Sequence, residues 1–462
     1  MSSVVEQLRD MLGPTAVLTG EDVRCRPAHI GVADGYGAKA ILRPKNTEEV
    51  ATIMRLCHET GQTIVPLGGN TGMAGGAIAS ENDIALSLER MQDIEQIHVL
   101  GRTMIVQAGT RLQTVQERAE ELGLMFPLDL GARGSATIGG NIATNAGGNK
   151  VLRYGMMREM ILGLEAVLAD GTILSSMNKV IKNNAGYDLK QLFIGSEGTL
   201  GIVTRAVLRL RPLCKSESTA LLATDDYNHV MTLLGYLDQE LAGTLSAFEV
   251  MWNDYYRLAS GGGSDGKTLP VGLDYPYYIL VEALGADPET DRTRFELVLS
   301  QALEKGLIVD AAIAQSGNER NNFWAIRDNI DSLLAWWPII AFDVSLPIET
   351  IEDFVQETRA KIRNTWPDMR SVVFGHLGDS NIHFIVSVGS DEPDIRRQIE
   401  EAVYSAVAQR EGSISAEHGI GLEKRAYLGY SRSESEIELM RTLKRALDPK
   451  GILNPGKVIP TP

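Results

Sequence analysis

Three glycine-rich tracts in the first half of the chain set the strongest limit on its fold. They are residues 67–76, residues 131–148, and Gly195-Ser196-Glu197-Gly198-Thr199-Leu200-Gly201. Stretches so poor in bulky side chains let backbone N–H groups come close to a ligand. Consecutive N–H groups form nests for phosphate oxygens. One such tract would be an ordinary tight turn; three together point to a phosphate-bearing cofactor. None has the Gly-x-Gly-x-x-Gly spacing between a strand and a helix with an acid about twenty residues on, which disfavours a Rossmann nicotinamide site.

The surrounding pattern is α+β, without regular βαβ alternation. Strands are expected at 40–44, 63–66, 83–88, 94–100, 103–107 and 124–128. A helix should open at Asn46, with Glu49 at capping-box spacing, and stop near Gly61. A second should span 111–122. Residues 1–13 read as a short amphipathic helix carrying acids, unlike a signal or transit peptide. Beyond Pro212 the texture changes to long helical periodicities, at 228–240 and 290–305, and all five tryptophans lie there. The expected division is therefore 1–212, 213–411 and a C-terminal segment 412–462 with a helix near 434–447.

The net charge of -16 argues against nucleic acid and against an anionic membrane surface. No apolar run approaches the length of a membrane span. Cys25, Cys57 and Cys214 lie far apart with no Cys-x-x-Cys pair, which fits a reducing compartment; the expected location is cytoplasmic.

Two of the seven histidines flank one turn, in Gly375-His376-Leu377-Gly378-Asp379-Ser380-Asn381-Ile382-His383. Strand-like residues precede it at 371–374 and follow it at 384–386, so a strand-turn-strand would set His376 and His383 side by side. The spacing is neither a zinc-finger nor a zincin pattern. The adjacent acid in Ala416-Glu417-His418-Gly419 strengthens the case. Two imidazoles and the Glu417 carboxylate would suit Zn²⁺ or a similar divalent ion, with positions left open for substrate.

Taken together, the tracts 66–76 and 138–148, Pro127-Leu128-Asp129, residues 187–202, Gly375–His383, residues 415–419 and Asp448-Pro449-Lys450-Gly451-Ile452-Leu453-Asn454-Pro455-Gly456-Lys457 form a series of long motifs in one order. In these the chain resembles the FAD-linked D-2-hydroxyacid dehydrogenases of the vanillyl-alcohol-oxidase superfamily, over nearly its whole length from about residue 40. D-2-hydroxyglutarate dehydrogenases are the nearest branch and D-lactate dehydrogenases are cousins. The resemblance implies a two-part FAD-binding domain, an α+β cap domain for substrate, and a C-terminal segment packing back on the FAD domain. By the same resemblance Pro66, Gly68, Gly69, Asn70, Thr71 and Gly72 hold the FAD diphosphate. Pro127, Leu128, Asp129, Ser135, Ile138, Gly139, Gly140, Asn141, Thr144, Ala146, Gly147, Gly148, Glu197, Gly198, Gly201 and Ile202 complete the cradle, and Asn454 lies near the flavin ring. The first loop holds no His or Cys, so the FAD is expected to be non-covalent.

The chemistry implied is oxidation of a D-2-hydroxy acid to the 2-oxoacid. His376, His383 and Glu417 would hold Zn²⁺, or Mn²⁺, which lowers the pKa of the substrate hydroxyl. His418 would bind substrate and take the hydroxyl proton as general base. Arg327, in Phe323-Trp324-Ala325-Ile326-Arg327-Asp328, matches the family's substrate-carboxylate arginine. Without the resemblance it would read as a surface helix residue paired with Asp328 or Asp331.

Three positions depart from the D-2-hydroxyglutarate branch. That branch has Thr four residues after the arginine, where this chain has Asp331. It has Lys two residues before Asp-x-Ser-x-Pro, where this chain has Ala341. It has Asn two residues after the second metal histidine, where this chain has Ile385. A substrate with an apolar or aromatic tail, of D-lactate type, is therefore expected rather than a γ-carboxylate. The alternatives are a D-2-hydroxyglutarate dehydrogenase proper, with another cap Lys or Arg replacing the missing lysine, and an O₂-using oxidase. As a dehydrogenase the protein would pass electrons to an electron-transfer flavoprotein or a quinone, and a homodimer is compatible with the sequence.

Overall fold

The computed structural model describes residues 3–27, 35–263 and 269–460. Met1 and Ser2, the first residues of the expected N-terminal helix, lie outside the described residues. The helix itself is Val4–Leu12, closed by a reciprocal capping box between Ser3 and Glu6. The chain divides into two compact units. The first is Met1–Gly148, Tyr154–Leu213 and Glu417–Pro462; the second is Asn149–Arg153 and Cys214–Ala416.

The first unit holds a four-stranded and a five-stranded sheet. In the smaller one the strand order is Val17–Thr19, Ala40–Leu42, Ile84–Ser87, Ile64–Leu67, and the last three run parallel. Helix Thr47–Thr60 makes the crossover from Ala40–Leu42 to the parallel strand Ile64–Leu67, with Ile84–Ser87 lying between the two in the sheet. Its start is fixed by the Asn46 side chain, which accepts from Glu49 N–H at 2.8 Å. The Glu49 carboxylate reaches back to Lys45 N–H rather than to Asn46, so only half of the expected box forms. Gly61, left-handed at φ 72, ends the helix. Val50, Ile53, Met54 and Cys57 on its inner face are fully buried against the sheet. Ile64–Leu67 also receives the C-terminal segment: Ile64 N–H donates to Ile452 O and Asn454 N–H to Ile64 O, each at 2.8 Å.

The larger sheet is antiparallel, in the order Ile94–His98, Thr103–Gln107, Ile202–Arg209, Ile161–Val167, Ile173–Ser176. Thr103–Gln107 falls where the sequence places a strand. The strand expected at 124–128 shortens to Leu124–Met125, paired with Arg211–Pro212.

The second unit is built on a seven-stranded antiparallel sheet: Asp310–Ile313, Ser216–Thr224, Tyr277–Gly285, Leu245–Trp252, Arg370–Gly375, Asn381–Ser387, Ile340–Ser345. Helices Tyr227–Leu241, Pro288–Glu304, Gly317–Arg327, Ile351–Thr365 and Pro393–Ala408 belong to this unit. Among the described residues no helix is long and apolar enough to cross a membrane.

Candidate active site

The first glycine tract leaves strand Ile64–Leu67 and runs against the second. A Cβ on Gly69 would stand 2.1 Å from the Ser135 carbonyl oxygen, so only glycine fits there. The third tract closes on the same strand: Gly198 is left-handed at φ +71, and a Cβ on it would lie 2.8 Å from Pro66 Cγ. The three tracts thus share one neighbourhood lined mainly by backbone. Thr137 caps the short helix Ile138–Thr144, accepting from Gly140 N–H. Leu128 is buried beside them, and its carbonyl accepts from Gln116 Nε2 at 2.7 Å.

Two buried amides here lack a protein partner on one atom among the described residues, Asn141 Nδ2 and Asn454 Oδ1. Asn454 is otherwise held tightly, donating from Nδ2 to Gly76 O at 3.0 Å and to Glu197 O at 2.7 Å. An orphaned donor and acceptor beside a side-chain-poor cradle fit a polar dinucleotide such as FAD. Glu197, left-handed at φ 50, sets its carboxylate against Gly76 of the first tract. It accepts from Ile420 N–H at 2.7 Å and Gly421 N–H at 3.0 Å, and so anchors the backbone just after His418. Burial raises the Glu197 carboxyl above its ordinary value despite these two donors.

The histidine stretch folds as the sequence predicts. Arg370–Gly375 and Asn381–Ser387 pair antiparallel, with Leu377–Asp379 forming the turn. Phe374 stands opposite His383. The His376 and His383 rings are 5.3 Å apart at 83°. Ser345 and Ser413 exchange backbone hydrogen bonds and Ala416 N–H donates to Asp343 O, which fixes the backbone leading into Glu417. One ligand atom each from His376, His383 and Glu417 lie within 4.8 Å of one another, a donor set that fits a divalent cation. His418 follows directly and is half-buried.

Each histidine has a carboxylate behind it. His376 Nδ1 is 2.8 Å from Glu249 Oε1, and His383 Nδ1 is 3.8 Å from Asp343 Oδ1. Arg327 is the last residue of helix Gly317–Arg327 and is buried, not exposed. Its Nε and Nη2 both lie 2.8 Å from Glu249 Oε2, its Nη1 is 3.3 Å from Asp328, and its Nη2 is 3.1 Å from His376 Nε2. Tyr255 OH donates to the Arg327 carbonyl at 2.7 Å. Burial alone would push the Glu249 carboxyl up; His376 and Arg327 overcome it and hold the group below its ordinary value.

Ala341 and Ile385 are direct cross-strand partners, as are Asp343 and His383 in the next same-face row. Val372 stands on the other side of Ile385. Asp331 does not join them: it is exposed on the turn Ile330–Trp336, and its side chain makes no hydrogen bond or ion pair among the described residues. Sequence reasoning missed Glu249, whose one signal is a lone acid within Leu245–Trp252, eight residues that are all buried. It also missed Asn381, buried on the same strand as His383 with neither amide atom hydrogen-bonded among the described residues.

A glycine-built cradle with orphaned amides, together with a two-sheet first unit, defines an FAD-binding protein of the vanillyl-alcohol-oxidase type. The solved fold of p-cresol methylhydroxylase is similar, at a TM-score of 0.77 and 16% identity over 99% of this chain and 96% of that one. Residues 38–176 match the FAD binding domain family, and residues 213–458 match the C-terminal domain of FAD linked oxidases. The mitochondrial D-2-hydroxyglutarate dehydrogenase of Bos taurus is 41% identical, with 92% of this chain and 77% of the relative covered. A putative mitochondrial D-lactate dehydrogenase of Schizosaccharomyces pombe is 37% identical, covering 90% and 81%. The chain belongs to the FAD-linked D-2-hydroxyacid dehydrogenase family of oxidoreductases.

Proposed function

We propose that the protein is an FAD- and divalent-metal-dependent dehydrogenase that oxidises a D-2-hydroxy acid to its 2-oxoacid, with a substrate tail that is apolar or aromatic. The observation that carries the reading is the grouping of His376, His383 and Glu417 within 4.8 Å, with an Arg327 nitrogen 3.1 Å from His376.

When bound, FAD supplies the two-electron acceptor and the divalent ion, Zn²⁺ or Mn²⁺, supplies Lewis-acid acidification of the substrate hydroxyl. His376, His383 and Glu417 would hold the cation. The Arg327 guanidinium binds the C1 carboxylate, a planar fork against a planar anion. His418 takes the hydroxyl proton as C2 gives up its hydrogen with the bonding electrons. Glu197 keeps that histidine's loop in place through the Ile420 and Gly421 N–H groups. The final electron acceptor would be a protein or a quinone.

The tail assignment rests on the row Ala341, Ile385 and Val372. It lies one same-face step from His383, about 7 Å along the strand. Ile385 is buried in an apolar cluster with Val372, Phe374 and Leu333, against which Trp336 packs. Ala341 is exposed and offers only a methyl group, so a second carboxylate placed along the row would find no cation from these three residues. The competing reading, D-2-hydroxyglutarate itself, is favoured by the name of the Bos taurus relative. It is also favoured by Arg370, opposite Ser387 on the same sheet face and 5.9 Å from the Trp336 ring. Comparing kcat/KM for D-2-hydroxyglutarate with D-lactate, D-2-hydroxyisocaproate and D-mandelate decides between them. The apolar reading requires a monocarboxylate to win; a clear lead for D-2-hydroxyglutarate removes it.

A further inference from the structure

Glu249 belongs to none of the residue sets assigned above, yet it is the most enclosed charge in the second unit, 1% exposed on a strand with no accessible residue. The sheet brings it into place: Val250 pairs with Gly375 and Met251 with Phe374, so Glu249 falls beside the end of the strand that carries His376. Its two oxygens have different partners. Oε1 takes His376 Nδ1 at 2.8 Å, and Oε2 takes Arg327 Nε and Nη2, both at 2.8 Å.

We propose that Glu249 is a positioning residue that uses one buried carboxylate to orient both a metal-binding imidazole and the substrate-binding guanidinium. The inference rests on the metal and Arg327 roles proposed above. With Nδ1–H given to Glu249, the His376 lone pair is on Nε2, the atom that would take a cation. Arg327 Nη2 lies 3.1 Å from that Nε2 and 3.4 Å from Nδ1, so the guanidinium packs against the same imidazole that Glu249 holds. Arg327 alone would neutralise Glu249, so the Oε1 hydrogen bond is not needed for charge balance. It fixes the tautomer and ring plane of His376. An oriented histidine of this kind commonly loses about 10- to 100-fold in metal affinity when its outer partner is removed.

The test is Zn²⁺ affinity, and separately Mn²⁺ affinity, by competition with a chelator on the FAD-loaded full chain. Wild type is compared with Glu249→Gln, with FAD content and melting temperature measured on the same samples. Glutamine offers one acceptor where two donors need one each, so His376 and Arg327 cannot both keep their partner. The inference expects metal affinity to fall by about 10- to 100-fold and KM for the hydroxy acid to rise, with FAD content unchanged. If Glu249→Gln does not fold, the double variant Glu249→Met, Arg327→Met removes the buried charges together and preserves volume. It is expected to fold and to bind metal with the same loss. Wild-type metal affinity in either folded variant, or wild-type KM in Glu249→Gln, overturns the inference alone. Absence of tight Zn²⁺ or Mn²⁺ binding by wild type overturns the metal reading and the inference with it.

Discussion

Ala341 and Ile385 stand directly opposite one another on adjacent antiparallel strands, one row from the Asp343–His383 pair. Cross-strand partners have Cβ atoms about 4.5–5.5 Å apart. On the proposed reading the two positions would face one substrate group, so they should be changed together. Ala341 is exposed and Ile385 buried, so Ala341→Lys with Ile385→Asn adds a cation and a hydrogen-bonding amide beside the row, and it is expected to raise kcat/KM for D-2-hydroxyglutarate by about 10-fold relative to D-2-hydroxyisocaproate. Steady-state kinetics on both acids check it.

Gly69→Ala should empty the FAD cradle. Its Cβ would overlap the Ser135 carbonyl oxygen and the Ala136 Cα, both backbone atoms that cannot swing aside. The expected result is loss of most bound flavin, read as the ratio of visible to ultraviolet absorbance after purification.

His418→Ala should slow flavin reduction by about 10²- to 10⁴-fold, the range for removing a general base. Bound FAD and metal should be unchanged, because Glu417 and the glycine tracts are untouched. Glu197→Ala acts one step further back. It strands the Ile420 and Gly421 N–H groups, at about 1–3 kcal/mol each in stability. It should lower kcat more than it raises KM. Stopped-flow reduction and thermal melting separate the two effects.

Asp83 gives a pH dependence of stability. Burial opposes its charge, but Thr63, the Ser80 N–H and hydroxyl, and Lys457 together hold its pKa below the ordinary 3.8. Its folded pKa is thus depressed, so its stabilisation is fully present above the unfolded value and is lost as pH falls through the folded one. Asp83→Asn should destabilise at pH 7 by about 1–3 kcal/mol. The melting-temperature gap to wild type should close as the pH falls below 3.8.

Much of the candidate site was legible because its signals are local. The turn chemistry between His376 and His383, the Asn46 cap and the glycine tracts each act within a few residues. What was not legible depends on distant pairing. Glu249 meets its histidine 127 positions along the chain, across a sheet whose order no short window contains. Ser216–Thr224, Leu245–Trp252 and Tyr277–Gly285 are buried along nearly their whole length, so they lack the alternation that marks a strand and do not read as strands, whereas the helical periodicities at 228–240 and 290–305 are helices. Arg327 and Asp328 look like an exposed helix pair in sequence. The helix end is instead carried into the core, where Arg327 sits 5.3 Å from the Phe374 ring.

The most direct measurement is anaerobic mixing of the FAD-loaded, metal-replete protein with D- and L-lactate, D-2-hydroxyglutarate, D-2-hydroxyisocaproate and D-mandelate, followed by flavin absorbance. The account predicts bleaching by at least one D-acid and not by L-lactate. A chelator should abolish it, and Zn²⁺ or Mn²⁺ should restore it. Bleaching that survives complete metal removal, or no bleaching by any D-acid, would contradict it.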